Sequence, residues 1–193
     1  MIAKRLEGLI ADTAGRGETE MVQRFQKLRD SGLLPKSRGK NADNLSHDEI
    51  VSGILSVIAA RPAYAGLTAK FLKYLRPVGG TDASFANATT FGKAIEPLIN
   101  DPDALDALLE VRVSDSEVYK NSHGRAAIVY RSGKGEKVAY YVRKEAVSLM
   151  QVGAQDTYNP RDLISDVIIE TVFLPRFFKR ITRELEEERR YAA

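Results

Sequence analysis

The stretch Val22–Glu49, VQRFQKLRDSGLLPKSRGKNADNLSHDE, sets the expectation for the rest of the chain. Its first part reads as an amphipathic helix that is capped by Thr19 and runs from Glu20 to Ser31. On a helical wheel Met21, Val22, Phe25 and Leu28 gather on one side. Thr19, Gln23, Gln26, Lys27 and Asp30 gather on the other, with Arg24 at the flank. Gly32 stands where a helix closes on a left-handed residue, a conformation glycine adopts without a Cβ clash. Leu33-Leu34-Pro35 then reads as extended, and Lys36-Ser37-Arg38-Gly39-Lys40-Asn41 as a basic loop with small residues between its cations. Ser46 with Glu49 three residues on fits a capping box, opening a helix that carries Ile50, Ile54, Leu55 and Ile58.

Upstream, Ile2 to Ala14 reads as a helix with Ile2, Leu6, Leu9 and Ile10 on one face, broken by Gly15-Arg16-Gly17. Helix, short turn, helix, extended segment, basic loop and capped helix follow in the order of a winged helix-turn-helix. The charge distribution agrees. Between Val22 and Asn41 stand six cations, Arg24, Lys27, Arg29, Lys36, Arg38 and Lys40, against one acid, Asp30. The whole chain carries only +3, so positive charge is concentrated in this segment. Cations set against closely spaced phosphates release counterions, the main source of affinity for duplex DNA. Gln pairs with adenine and Lys with guanine from a helix in the major groove, which makes Gln23, Gln26 and Lys27 the base-reading candidates. Thr19 and Arg24 are placed for phosphates, and Lys36, Arg38, Lys40 and Asn41 for the backbone or a minor groove. Taken singly, an amphipathic helix is core and a basic loop is solvated surface; the ordered combination is what points to DNA.

The runs Ile10-Ala11-Asp12-Thr13-Ala14-Gly15, Met21-Val22-Gln23-Arg24-Phe25-Gln26-Lys27-Leu28 and Gly32-Leu33-Leu34-Pro35 resemble the head of MerR-type winged-helix regulators. In that family a recognition helix with an arginine–aromatic pair ends in a Gly-Leu-Leu-Pro-like strand, followed by a basic wing and a capped third helix. Arg24-Phe25, Gly32 to Pro35 and Ser46 to Glu49 occupy the matching positions. The resemblance covers residues 1–60, roughly the first third of the chain. Ala42-Asp43-Asn44-Leu45 lacks the aromatic residues of the family's returning strand. The chain also continues with mixed helices and a hairpin, where the family has a coiled coil. The resemblance therefore implies a DNA-binding module and no inducer chemistry.

The remainder reads as a second part. Leu67 to Leu75 is a short helix, and Arg76-Pro77-Val78-Gly79-Gly80 reads as a boundary between parts 1–76 and 81–193. Phe85 to Asn100 and Asp103 to Leu109 read as helices, the first kinked or split at Pro97. The period then changes to two. Residues 109–113, 127–131 and 137–142 alternate, and the last two form a hairpin across a glycine-containing turn. A long helix from Arg161 to about Arg190, bent at Pro175, carries Leu163, Ile164, Val167, Ile168, Val172, Phe177, Phe178, Ile181 and Leu185. The fold class is α+β: a winged helix-turn-helix head, then a mixed helical domain with an antiparallel hairpin and a long C-terminal helix.

Other chemistries have little support. The chain has no cysteine, which removes disulfides, thiolate catalysis and cysteine-based zinc sites. His47 lies in the capping box and His123 before a strand; two isolated histidines make no zinc site. No phosphate-binding or nucleophile-elbow motif is present, and Gly133-Lys134-Gly135 is a turn rather than a phosphate cradle. No catalytic residue, metal or cofactor is expected. The apolar runs are short or interrupted by charge, so a soluble cytoplasmic protein is expected, with no membrane partner. Tyr130, Tyr140 and Tyr141 with Arg125, Arg131, Lys137, Arg143 and Lys144 form a basic aromatic hairpin of the kind that stacks single-stranded bases, although tyrosines are also good strand formers. The expected function is sequence-specific binding of double-stranded DNA by a transcriptional regulator acting as a homodimer. Residues 81–193 would serve dimerisation or a protein partner. The alternative is a nucleic-acid-associated assembly protein of prophage accessory or packaging type, without sequence preference.

Overall fold

The computed structural model describes residues 1–36, 44–114, 124–133, 135–144, 147 and 170–192. Helix α1 (Ala3–Ala14) buries Leu6, Ile10 and Ala11 and ends on Gly15, which is left-handed at φ +63°. Three residues, Gly15 to Gly17, link it to α2 (Glu18–Asp30). The helix starts two residues earlier than a cap at Thr19 implies. Gly17 holds the cap position without a side-chain bond, and Glu18 and Glu20 in the first turn complement the exposed N–H groups instead. Val22, expected inward, is half exposed; the buried set is Met21, Arg24, Phe25 and Leu28.

The end of α2 is as expected. Gly32 is left-handed, its N–H donates to the Arg29 carbonyl, and the Leu33 N–H donates to the Leu28 carbonyl at 2.9 Å. That bond pair is the Schellman closure, which satisfies two carbonyls that a helix end leaves free. Leu33 and Leu34 lie in bends rather than in a strand, so no strand follows α2 among the described residues 31–36 and 44–46.

Helix α3 (His47–Ser56) opens on the expected capping box. The Ser46 N–H donates to Glu49 Oε2 at 2.7 Å and the Glu49 N–H to Ser46 Oγ at 3.3 Å, a device worth about 1 kcal/mol. Ile50 through Ser56 are all buried, which makes α3 the central helix. A 3-10 turn, Pro62–Tyr64, leads into α4 (Ala65–Lys73). The buried Lys73 ammonium ties α4 to α3, donating to Asp48 Oδ2 at 2.6 Å and to Ser52 Oγ at 3.1 Å. Helices α5 (Phe91–Ile95) and α6 (Pro97–Asn100) are split at Pro97, and α7 (Pro102–Ala107) is capped by the Asp101 carboxylate.

The strands are β1 (Arg76–Pro77), β2 (Leu108–Ser114), β3 (Arg125–Ser132), β4 (Gly135–Val142) and β5 (Glu170–Phe173). They form one antiparallel sheet in the order β1-β4-β3-β2-β5. The β3–β4 hairpin runs in continuous register from Arg125 opposite Val142 to Ser132 opposite Gly135.

Two expectations are corrected by this sheet. Residues 76–80, read as a boundary, begin with strand β1, and the Val78 N–H extends the pairing to the Tyr140 carbonyl at 2.9 Å. One buried cluster runs from Leu6 and Phe25 through Ile54, Phe91 and Tyr141 to Phe178 and Leu185, so both sequence parts contribute to a shared core. The C-terminal helix, α8 (Pro175–Ala192), starts at Pro175 rather than bending there. Proline lacks the N–H that a helix interior needs but suits a first turn. The residues before it, Thr171-Val172-Phe173, are β-branched and aromatic and pair with β2. The rest of the expected helix, 161–169, lies outside the described residues. Helix α8 buries Phe177, Phe178, Ile181 and Leu185 as its stripe predicts, and Arg5 of α1 clasps it through Glu184 and Glu188.

Val111, Val113, Ile128, Ala139, Tyr141 and Phe173 point from the sheet into this core. On the opposite face stand Arg112, Ala127, Val129 and Tyr140, half-buried, with Val138 and Val172 exposed. The architecture is α+β, with helices packed on one face of an antiparallel sheet.

Candidate nucleic-acid interface

The candidate interface is built on α1, its three-residue turn and α2. The back of α2 is fixed by packing and by an internal arginine. Leu28 and Phe25 are fully buried, each worth about 2 kcal/mol of removed apolar surface. At the far end, α4 crosses α2 at Gly66. A Cβ there would stand 2.1 Å from Ser31 Oγ and 2.5 Å from the Lys27 carbonyl, so only glycine permits the approach.

The flank position of Arg24 suggests a phosphate contact; the structure places it inside. It is fully buried. Nη1 donates to the Ser56 carbonyl at 2.7 Å, and Nε and Nη2 donate to Glu20 Oε1 at 2.9 and 2.6 Å. Glu20 sits one turn earlier on the same helix, and Ser56 closes α3. Arg24 thus staples α2 to the central helix and presents no donor to solvent. Arg29 is half-buried, and its Nε has no hydrogen-bond partner among the described residues. Its charge acts on Glu7 of α1, whose carboxyl is raised by burial against the pull of Arg29 and Lys4.

Facing outward are Thr19, Gln23 and Lys27, all exposed and spaced four apart, so they form one row along α2. Gln26 is half-buried beside them. Its amide donates to Asp30 Oδ1 at 2.8 Å, and Lys27 lies 3.4 Å from Asp30 Oδ2. Gln26 first, then Lys27 and the charge of Lys36, hold the Asp30 carboxyl below the usual carboxylate range. Lys36 is exposed just past the helix. Arg38, Lys40 and Asn41 lie outside the described residues.

Two exposed cations escaped the sequence reading. Arg16 occupies the turn between the helices and reaches Glu20 at 3.7 Å. Arg61 precedes the 3-10 turn that packs beside α2. A cation between two glycines in a helix–helix link was a readable signal for Arg16. Nothing local marked Arg61, because its place beside α2 comes from tertiary packing.

The tyrosine hairpin divides between two faces. Tyr141 is buried, its hydroxyl accepting the Phe85 N–H at 2.9 Å, and burial pushes its phenol well above the ordinary range. Tyr130 packs edge-on against Phe85. Tyr140 alone of the three stands on the face away from the helices, so a three-tyrosine stacking platform does not form. Among the described residues no group of acidic or histidine side chains is placed to hold a metal ion, and no helix is long and apolar enough to cross a membrane. Comparison with family models, with curated proteins and with solved structures finds no match for the chain.

Proposed function

We propose that the protein binds duplex DNA through the α1–turn–α2 unit, as a transcriptional regulator acting as a homodimer. The observation that carries the reading is the outward row Thr19, Gln23 and Lys27, held on a helix whose opposite face is locked by Met21, Arg24, Phe25 and Leu28. A rigid back and a polar front suit a helix that enters a major groove. Gln23 both donates and accepts, as adenine requires, and Lys27 donates, as guanine requires. The Lys27–Asp30 contact is surface-exposed and worth at most about 1 kcal/mol, so a base edge or phosphate can displace it. Arg16, Lys36 and Arg61 supply phosphate contacts at the ends of the row.

Selection from a randomised duplex library tests the proposal. The expected result is an enriched motif with two half-sites about 10 base pairs apart. Gln23→Ala and Lys27→Ala would relax it at defined positions, and binding would weaken steeply with salt. Salt-sensitive binding without enrichment would replace this reading with the assembly protein that holds nucleic acid without preference. No binding at low salt would end both.

A further inference from the structure

The two edges of the sheet differ in how they meet solvent. One is formed by β1 and by the part of β4 that β1 leaves uncovered. Strand β1 is only two residues long, and one of them is Pro77, which has no N–H to offer another strand. Beyond it β4 exposes Lys137, whose charge deters a docking strand. This edge is blunted.

The other edge is β5, and it has neither device. It pairs with β2 on one side and with no strand on the other among the described residues. An edge strand leaves a row of N–H and C=O groups unpaired, a template for a further strand. Thr171, Val172, Phe173 and Leu174 carry no charge and no proline, and charge stands only at the two ends, on Glu170 and Arg176. Val172 is 46% and Leu174 39% exposed. They are two residues apart and so share the outer face. Between them Phe173 points the other way into the core, its ring 4.9 Å from that of Phe177. The edge is therefore anchored by the core and ordered before any partner arrives.

We propose that the β5 edges of two copies of this chain pair antiparallel about a twofold axis centred on Val172, joining two five-stranded sheets into one. In this register Val172 faces Val172 of the second copy, Thr171 faces Phe173, and Glu170 faces Leu174. It uses every residue from 170 to 174 and keeps Pro175 out of the ladder. On the outer face Val172 and Leu174 of both copies close into one apolar cluster and leave water. Glu170 of each copy comes to the end where the exposed Arg176 of the other leaves the strand, so the charges at both ends are opposite in sign. The pairing gives the homodimer of the functional reading its interface and rests on that dimer, not on DNA binding.

Sedimentation of the full chain over a concentration series, without DNA, begins the test. A reversible monomer–dimer equilibrium is expected, because two short strands make a small contact. The chain has no cysteine, so a single one can be placed on the axis. Val172→Cys should give a disulfide-linked dimer under mild oxidation. Residues directly opposite in an antiparallel pair have Cα atoms about 4.5–5.5 Å apart, within the span of a disulfide. Val138→Cys, at a similarly exposed position, should not, because seven strand spacings, roughly 34 Å, would separate the two copies of that residue. Val172→Glu sets two carboxylates against each other across the axis, while Arg112 beside it in β2 accommodates the charge in the monomer. It should raise the dimer dissociation constant at least about tenfold. A wild type that is monomeric at every concentration overturns the proposal, and the dimeric part of the functional reading with it. A dimer that crosslinks no faster at 172 than at 138, or that Val172→Glu leaves unchanged, overturns the β5 interface alone. DNA enters neither readout, so failure of the DNA-binding reading leaves these outcomes as they stand.

Discussion

Replacing Arg24 by methionine separates a structural arginine from a DNA-contacting one. Methionine keeps the length and apolar stem but removes every donor. The Ser56 carbonyl, whose residue is fully buried, would lose its 2.7 Å bond; an orphaned buried acceptor costs about 1–3 kcal/mol. Glu20 would lose both contacts from Arg24. Removing one partner of a fully buried ion pair costs about 3–5 kcal/mol. Glu20 is 31% exposed and keeps Arg16 within 3.7 Å, so only part of that penalty applies. The sum is about 3 kcal/mol, or a fall in Tm of roughly 6–12 °C for a chain of this size. Urea unfolding followed by far-UV circular dichroism gives the value directly. Gln23→Met, on the exposed face of the same helix, should stay within about 0.5 kcal/mol of wild type. Glu20→Gln should cost about 1 kcal/mol, because Arg24 keeps the Ser56 carbonyl. An Arg24→Met protein as stable as the wild type would refute the buried-staple account. If the same protein had lost DNA binding, the flank reading from sequence would stand instead.

Gly66→Ala drives a Cβ into the Lys27 carbonyl and Ser31 hydroxyl, and should cost about 3 kcal/mol in the same unfolding assay. Ser31→Gly added to it should recover only part, since the Lys27 carbonyl remains 2.5 Å away; full recovery would mean that the helices separate freely. Tyr141 gives a pH signature. Burial holds its phenol protonated above the ordinary value of 10.0, whereas the unfolded chain releases that proton. Its contribution is therefore intact below pH 10 and falls by about 1.4 kcal/mol per unit above it. Tyr141→Phe leaves the Phe85 N–H without its acceptor, costing about 1–3 kcal/mol at neutral pH, but lacks the alkaline loss. Unfolding free energies of the two proteins should converge as pH rises past 10, and parallel curves would contradict the buried-phenol account.

Much of the local structure was legible because its causes are local. The capping box needs only Ser46 and Glu49, the Schellman closure only Gly32, and the split between α5 and α6 only Pro97. The hairpin was readable from alternation, and its register agrees with the alternating burial of Ile128, Ala139 and Tyr141. Strands β1 and β5 were not legible, because both owe their existence to partners far along the chain. Arg76-Pro77 carries turn-like residues and pairs only with β4 at the sheet edge, where a proline is tolerated. Glu170–Phe173 is four residues long, and a short apolar run does not distinguish strand from helix. Pro175 held the deciding signal: a proline within a helical pattern opens a helix there as readily as it bends one.

The candidate sites were less legible than the fold, and two arginines explain why. In sequence Arg24 is one of six cations in a basic segment, and Arg125 is one of five around a hairpin. Counting charges ranks Arg24 as the interface residue and passes over Arg125. Their donors reverse the order. Each nitrogen of Arg24 meets a protein oxygen within 3 Å, so its binding capacity is spent inside the protein. The terminal nitrogens of Arg125 meet none among the described residues, although this side chain is also buried. Helical periodicity could have hinted at the first case, because Glu20 stands at the favourable i, i+4 spacing from Arg24. The second depends on Ser114 and Glu170, brought together only when β2, β3 and β5 pair. Burial makes an arginine expensive in either place, and only the folded arrangement shows which of its donors are satisfied from within.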